Sequence, residues 1–319
     1  MLSYTELSTN IFMVREPTKR PNRLNSLLIE DNEGMDSILI DSNYPFKYID
    51  ELYTRVKAPV RGIYYSHCHV DHTAHAFYHE QKYSAPIFCP VQEKDYMLSI
   101  ESLMERVGFR KLGLTDSYIK MIKRYMKFKE CKHVNTFNPG VDIIEYFSGI
   151  IETIHIPGHS PGQTAFIIIP NEGRKILYVA DLGSHPYYGD LNSNLKRYYQ
   201  SIERMKKIYR SDDYILIPAH GTIYTEREVD FFNRTRNKIK DYESKVLNAL
   251  SKTVPKSIKD MVYEGVITPK DRMVDFIKDL YLLWDGGRIY HHLNDFIERG
   301  MVEKVEEKDL VNDKYLLIS

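Results

Sequence analysis

Six consecutive positions, His67-Cys68-His69-Val70-Asp71-His72, carry four side chains able to bind a metal ion. Imidazole and carboxylate suit Zn²⁺ and also Fe or Mn, with no need for soft sulfur ligands. Alternate residues of an extended stretch point the same way, so His67 and His69 can reach one ion. Cys68 then points away and is expected to be buried and inert. Asp71 and His72 follow at once and can face a second ion a few ångströms off. Three more residues of the same type come later: His159 in Pro157-Gly158-His159-Ser160-Pro161-Gly162, Asp181, and His220 in Pro218-Ala219-His220-Gly221. Proline and glycine shape such loops, which can then present a ligand without a helix.

Each of these ligands follows a run rich in β-branched or aromatic residues, at 60–65, 149–156, 175–180 and 214–217. If those strand ends lie side by side at one sheet edge, seven ligands converge. Residues 11–15, 26–30, 37–40, 85–89 and 164–169 also read as strands. Asp31-Asn32-Glu33-Gly34 is the expected turn of a hairpin between 26–30 and 37–40. Helical spacing covers residues 46–56, 195–209 and 226–250. Residues 93–132 read as a helical insertion, in which 106–132 hold nine Lys/Arg against two Asp/Glu. The last 70 or so residues read as two or three helices, then strands at 301–306 and 315–318 about the polar turn 307–314. That outline is winged-helix-like. The expected division is a catalytic domain at 1–235 and a small C-terminal domain at 236–319.

The motif from His67 to His72, with His159, Asp181 and His220 after it in order, resembles that of the metallo-β-lactamase superfamily, most of all its glyoxalase II-type hydrolases. The resemblance covers residues 1 to about 235 and implies an α+β fold, an αββα sandwich with metals at one sheet edge. It implies two divalent metal ions, Zn first, with Fe or Mn as alternatives. His67, His69 and His159 would bind one ion and Asp71, His72 and His220 the other, with Asp181 bridging. A hydroxide shared by the metals would be the nucleophile, which makes Asp71 and Asp181 the expected catalytic residues. The chain departs from the family in having Thr73-Ala74-His75 where two glycines are common. His75 and His79 are read as part of a helix behind the site, not as ligands, and Asp41 as structural support near the metal loop. A glutamate in place of His69 would suggest a redox site, and histidine there favours hydrolysis.

The expected substrate is a carboxylic ester or thioester. The alternatives are single-stranded RNA, cut by a metallo-endoribonuclease or phosphodiesterase, and a persulfide, oxidised by a mononuclear-iron dioxygenase. Arg106, Arg110, Lys111, Lys120, Lys123, Arg124, Lys127 and Lys129 can attract an anionic small molecule or RNA if the insertion overhangs the metals, or else form a solvated face. Phe109, Tyr118, Tyr125 and Phe128 either line an acyl pocket or bury the insertion's helices. Residues 290–297 with Gly300-Met301-Val302 resemble the last helix and wing of winged-helix modules appended to some hydrolases of this superfamily, one branch of which cleaves RNA. Residues 251–319 carry eleven Lys/Arg and thirteen Asp/Glu, which favours a packing or homo-oligomer role over a nucleic-acid surface.

Composition sets outer limits. With 43% hydrophobic and 28% charged residues in 319, the chain has the balance of a globular protein, not a disordered one. Equal numbers of basic and acidic residues, 44 each, make no overall electrostatic case for a polyanionic partner. Cys68, Cys89 and Cys131 are odd in number and irregularly spaced, so a disulfide framework is not expected and a reducing, cytoplasmic setting fits. No secretory signal is read at the N-terminus, and no apolar run approaches the roughly 18 residues of a membrane span.

Overall fold

The structure is a computed structural model that describes all residues except 18–22, 32–33, 57, 147, 184, 229 and 319, and the side chain of Phe276. Asn32 and Glu33 of the expected turn lie outside the described residues.

The first sheet has seven strands in sequential order: β1 (Ser3–Ser8), β2 (Ile11–Arg15), β3 (Ser26–Glu30), β4 (Ser37–Ile40), β5 (Val60–Tyr64), β6 (Ile87–Pro90) and β7 (Asn135–Phe137). Pairing is antiparallel from β1 to β4 and parallel from β4 to β7. The second sheet holds β8 (Ile143–Tyr146), β9 (Gly149–His155), β10 (Thr164–Pro170), β11 (Lys175–Tyr178) and β12 (Tyr214–Ile217), in the order β12-β11-β10-β9-β8.

Strand periodicity divides the apolar side chains between two cores. Leu27 and Ile29 of β3, Ile38 and Ile40 of β4, Ile176 and Tyr178 of β11, and Ile215 and Ile217 of β12 belong to one buried cluster, between the sheets. The residues that alternate with them, Leu28, Leu39, Leu177 and Leu216, belong to a second cluster shared with the helices. There they meet Ile49 and Leu52 of α1 (Phe46–Arg55) and other helical side chains. Burial on both faces explains why these strands read as continuous apolar runs. The result is the expected αββα sandwich.

After β5 the chain forms a short helix, α2 (Val70–Thr73), and then α3 (Ala76–Tyr83). The insertion is helical, as expected, but broken: α4 (Lys94–Leu98), α5 (Ile100–Val107), α6 (Thr115–Lys120) and a π-helical turn, Met121–Met126. Ser99 caps α5 by accepting from the Ser102 N–H, and Gly108 ends it at φ 93°, a conformation a Cβ would strain. Two long helices, α7 (Leu195–Ser211) and α8 (Phe231–Ala249), follow the sheets' other strands. Helix α8 starts five residues later than its periodicity suggests.

The C-terminal part consists of β13 (Lys256–Ser257), α9 (Ile258–Glu264), α10 (Leu280–Glu298), β14 (Val302–Glu306) and β15 (Lys314–Leu317). Its three strands form a separate sheet in the order β13-β15-β14. A capping box between Ser257 and Asp260 fixes the start of α9. Ile258, Ile289, Leu293 and Phe296 join the same continuous buried cluster as Leu103 of α5 and Ile202 of α7. No helix among the described residues is long and apolar enough to cross a membrane.

Candidate metal centre

The strands deliver their ligands as their order requires. Residues 66–72 follow β5, 157–162 join β9 to β10, Asp181 follows β11, and His220 follows β12. All seven residues singled out in the sequence come together, in two groups. His67, His69 and His159 form one; Asp71, His72, Asp181 and His220 form the other. In each group one ligand atom per residue lies within 4.8 Å of every other.

Asp181 stands between them. Its Oδ2 is 3.5 Å from His159 Nε2 and 3.9 Å from His67 Nε2. Its Oδ1 is 3.2 Å from His72 Nε2 and 3.4 Å from His220 Nε2. His220 Nε2 is 3.5 Å from Asp71 Oδ2, and the Nε2 atoms of His67 and His159 are 3.0 Å apart. Two ligands held at 2.0–2.1 Å by a tetrahedral Zn²⁺ stand about 3.3–3.4 Å apart, so most of these separations are those of shared ligands. His72 Nε2, His220 Nε2 and Asp181 Oδ1 are buried without a hydrogen-bond partner and face one another. Such atoms are costly in a folded chain unless something binds them. The donor set fits divalent metal ions.

The charges agree. Burial opposes an ionised Asp181, yet the neighbouring His220 and His72 hold its carboxyl well below the usual range. Burial also opposes a charged His72, but the Asp181 and Asp41 carboxylates raise it well above an ordinary histidine. In the other group burial, reinforced by surrounding histidines, holds His67 well below its ordinary value and brings His159 down to about 4. Burial works against charge on His69 too, but Asp190 overrides it and pushes the ring up to about 9.

Outer partners fix the rings. Asp41 ends β4 with a left-handed φ of 51° and is fully buried. It accepts from the Ser66 N–H at 2.7 Å, the Ser66 hydroxyl at 2.6 Å and the Tyr178 hydroxyl at 2.7 Å, and its Oδ2 lies 3.1 Å from His72 Nδ1. With its proton committed to Asp41, Ser66 Oγ accepts from His67 Nδ1 at 3.1 Å. Both rings therefore turn Nε2 to the centre. The supporting role expected of Asp41 from the sequence matches this placement.

Two carboxylates were not singled out in the sequence. Glu93, 0% exposed, accepts from the Cys68 N–H at 2.6 Å, the Ser160 hydroxyl at 2.5 Å and the Gly162 N–H at 2.7 Å. It ties the His67–His72 segment to the His159 loop. Asp190, 4% exposed, accepts from His69 Nε2 at 2.7 Å. Neither lies in a motif. The one hint for Glu93 is that it opens the insertion directly after a strand.

The remaining histidines and cysteines are not in the two groups. His79 is buried on α3 between Ser42 and Tyr53, and His75, just before α3, meets the Phe46 ring edge-on. The three cysteines are free and buried, and burial raises the Cys68 thiol well above its ordinary value.

The insertion packs beside the site. Its π-helical turn contacts α2, and the Leu191 N–H donates to the Val107 carbonyl. Phe109 and Tyr118 stack with ring centroids 3.5 Å apart, and both are buried, as is Phe128, while Tyr125 is 71% exposed. Arg106 pairs with Asp95 at 3.5 Å and Arg110 pairs with Glu101.

A family model described as "Metallo-beta-lactamase superfamily" matches residues 20–220, more than half of the chain. The chain belongs to the metallo-beta-lactamase superfamily. Among curated members it is 25% identical over 203 residues to the hydroxyacylglutathione hydrolase GloC of Haemophilus influenzae, covering 63% of this chain and 87% of that one. Among solved structures, a metallo-beta-lactamase family protein from Thermus thermophilus superposes with a TM-score of 0.75 at 15% identity, covering 98% of this chain and 100% of that one. A beta-lactamase domain protein from Burkholderia ambifaria gives 0.71 at 16% identity, with 99% and 94% covered. The likeness in fold to these two structures extends through the C-terminal part of this chain, beyond the residues that the family model matches.

Proposed function

We propose that this superfamily member is a two-metal hydrolase of a small carboxylic ester or thioester. The observation that carries the reading is Asp181, whose two carboxylate oxygens face the two ligand groups separately. His67, His69 and His159 would hold one ion, and Asp71, His72 and His220 the other, with Asp181 between. Divalent ions bound there supply Lewis acidity and a water of lowered pKa. The chain's own part is to gather these ligands, to keep Asp181 ionised and His67 and His159 neutral, to fix their rings from outside, and to exclude water behind them. Asp71, beside His220 and part-exposed, would bind the second ion and orient the attacking hydroxide. The four-residue second group favours a two-metal hydrolase over a mononuclear-iron oxygenase. The native metal is proposed as Zn, in keeping with the nitrogen-rich donor set.

The resemblance to a hydroxyacylglutathione hydrolase supports a thioester with an anionic carrier. The cavity of about 610 Å³ on the insertion, lined by Lys123, Lys127, Lys129 and Glu130 over apolar residues, includes none of the ligand residues. For residues 236–319 we infer a winged-helix-like unit, a reading supported by helices α8, α9 and α10 followed by the β14–β15 hairpin.

The test is metal analysis with a substrate panel: glutathione and coenzyme A thioesters, simple esters and a single-stranded RNA. About two metals per chain with metal-dependent thioester cleavage is expected. Cleavage of RNA alone would overturn the substrate class, and one iron with oxygen uptake on a persulfide would overturn the reaction.

A further inference from the structure

Two of the three histidines in the first group owe their orientation to one loop, residues 187–190. His69 donates from Nε2 to Asp190 Oδ2 at 2.7 Å. His159 donates from Nδ1 to the Tyr187 carbonyl at 2.8 Å. A carboxylate and a carbonyl only accept, so each bond fixes which ring nitrogen donates and turns the other towards the centre. For His69 that atom is Nδ1. For His159 it is the Nε2 that faces His67. The second carboxylate oxygen of Asp190 is also engaged, by the Tyr187 hydroxyl at 2.8 Å.

This loop rests on the C-terminal helix. His291 Nε2 donates to the Asp190 carbonyl at 2.7 Å, and the Tyr188 hydroxyl meets His292 Nε2 at 2.7 Å. The Arg288 guanidinium lies over the Tyr187 ring, 5.1 Å from its centroid. Gly189 and Gly287 bring the two backbones together: a Cβ at position 287 would sit 1.7 Å from the Gly189 carbonyl oxygen. None of the α10 residues belongs to a ligand group.

We propose that α10 is a working part of the first metal position: through residues 187–190 it sets the rings of His69 and His159, and Asp190 is the positioning residue that carries this effect. The C-terminal unit then acts on the metal centre and is not a detachable appendage. This rests on the reading that the two groups hold metals.

The experiment measures metal stoichiometry and affinity by chelator competition, with cobalt spectra to tell the two positions apart. Full-length wild type is compared with Asp190→Ala, Asp190→Asn, Gly287→Ala and His291→Ala. The expected result is a 10–100-fold weaker affinity at one position in Asp190→Ala, the range for loss of a ligand's outer partner. The other position is unchanged, and Asp190→Asn, which keeps an acceptor oxygen, recovers part of the loss. Gly287→Ala should reproduce the selective loss. Thermal unfolding of the metal-free proteins checks the fold, and if Gly287→Ala does not fold, His291→Ala decides, with a smaller but equally selective loss. Wild-type affinity at both positions in Asp190→Ala, or equal weakening of both, overturns the proposal. Selective loss in Asp190→Ala with no effect in the α10 variants overturns the role of the helix. Wild type that binds no metal overturns the two-metal reading as well.

Discussion

The centre has an inner and an outer support. The inner one is Asp41, at the end of β4, which sets His67 through Ser66 and touches His72 directly. The outer one is the loop 187–190, which sets His69 and His159. Asp41 serves one histidine of each group, whereas the loop serves two of the same group. The inner support lies in the sandwich and is built from strand ends. The outer one lies between the insertion and α10. The two ligand groups therefore need not share a fate: damage inside the sandwich reaches both, and damage outside reaches one.

The largest expected effect comes at the residue that faces both groups. Asp181→Ala removes the atoms that face both and should cut turnover on the order of 10³-fold, with loss of the second metal. Retained turnover in steady-state assays would end the bridged reading. Next is Asp41→Asn, which disturbs His67 and His72 together. Affinity at both positions should fall by about 10–100-fold in chelator titrations, and a loss at one position only would contradict the inner support described above. Glu93→Gln sharpens the contrast from the scaffold side. It removes a buried charge from three donors and should cost about 3 kcal/mol in denaturant unfolding of the metal-free protein. A change within experimental error would show that the two ligand loops hold without it.

The smallest effect concerns pH. His79 packs beneath the inner support, against Ser42 and Tyr53 and near His75, and burial brings it down to about 3. Between its ordinary value of 6.5 and about 3 the unfolded chain takes up a proton that the folded one refuses. Stability is therefore kept above pH 6.5 and lost as pH falls through that window. Unfolding midpoints of His79→Gln should decline less steeply from pH 6.5 to 4 than those of wild type.

The seven members of the two groups were legible in the sequence because each comes soon after an apolar strand: four crowd into six positions, and His159 and His220 sit among prolines and glycines that read as loop. The layers were legible for the same reason, since strands buried on both faces give unbroken apolar runs such as Ile215-Leu216-Ile217. Strand β1 was not: Ser3–Ser8 is an edge strand, largely polar, and owes its form to its pairing with β2. Asp190 and Glu93 were not legible either. Their role depends on partners such as His69 and Gly162, far away along the chain, and a carboxylate's value as an acceptor leaves no local pattern. The start of α8 at Phe231 also escaped, because helical spacing continued upstream of it.

The contact between His291 and the Asp190 carbonyl has a consequence in time. A ribosome makes this chain from the N-terminus, so every ligand of the centre has been synthesised before α10 exists. The inner support is complete as soon as β11 brings Tyr178 to Asp41, while the outer one must wait for α10, the last helix among the described residues. A nascent chain thus completes the two supports in sequence, and the one braced by α10 is completed last.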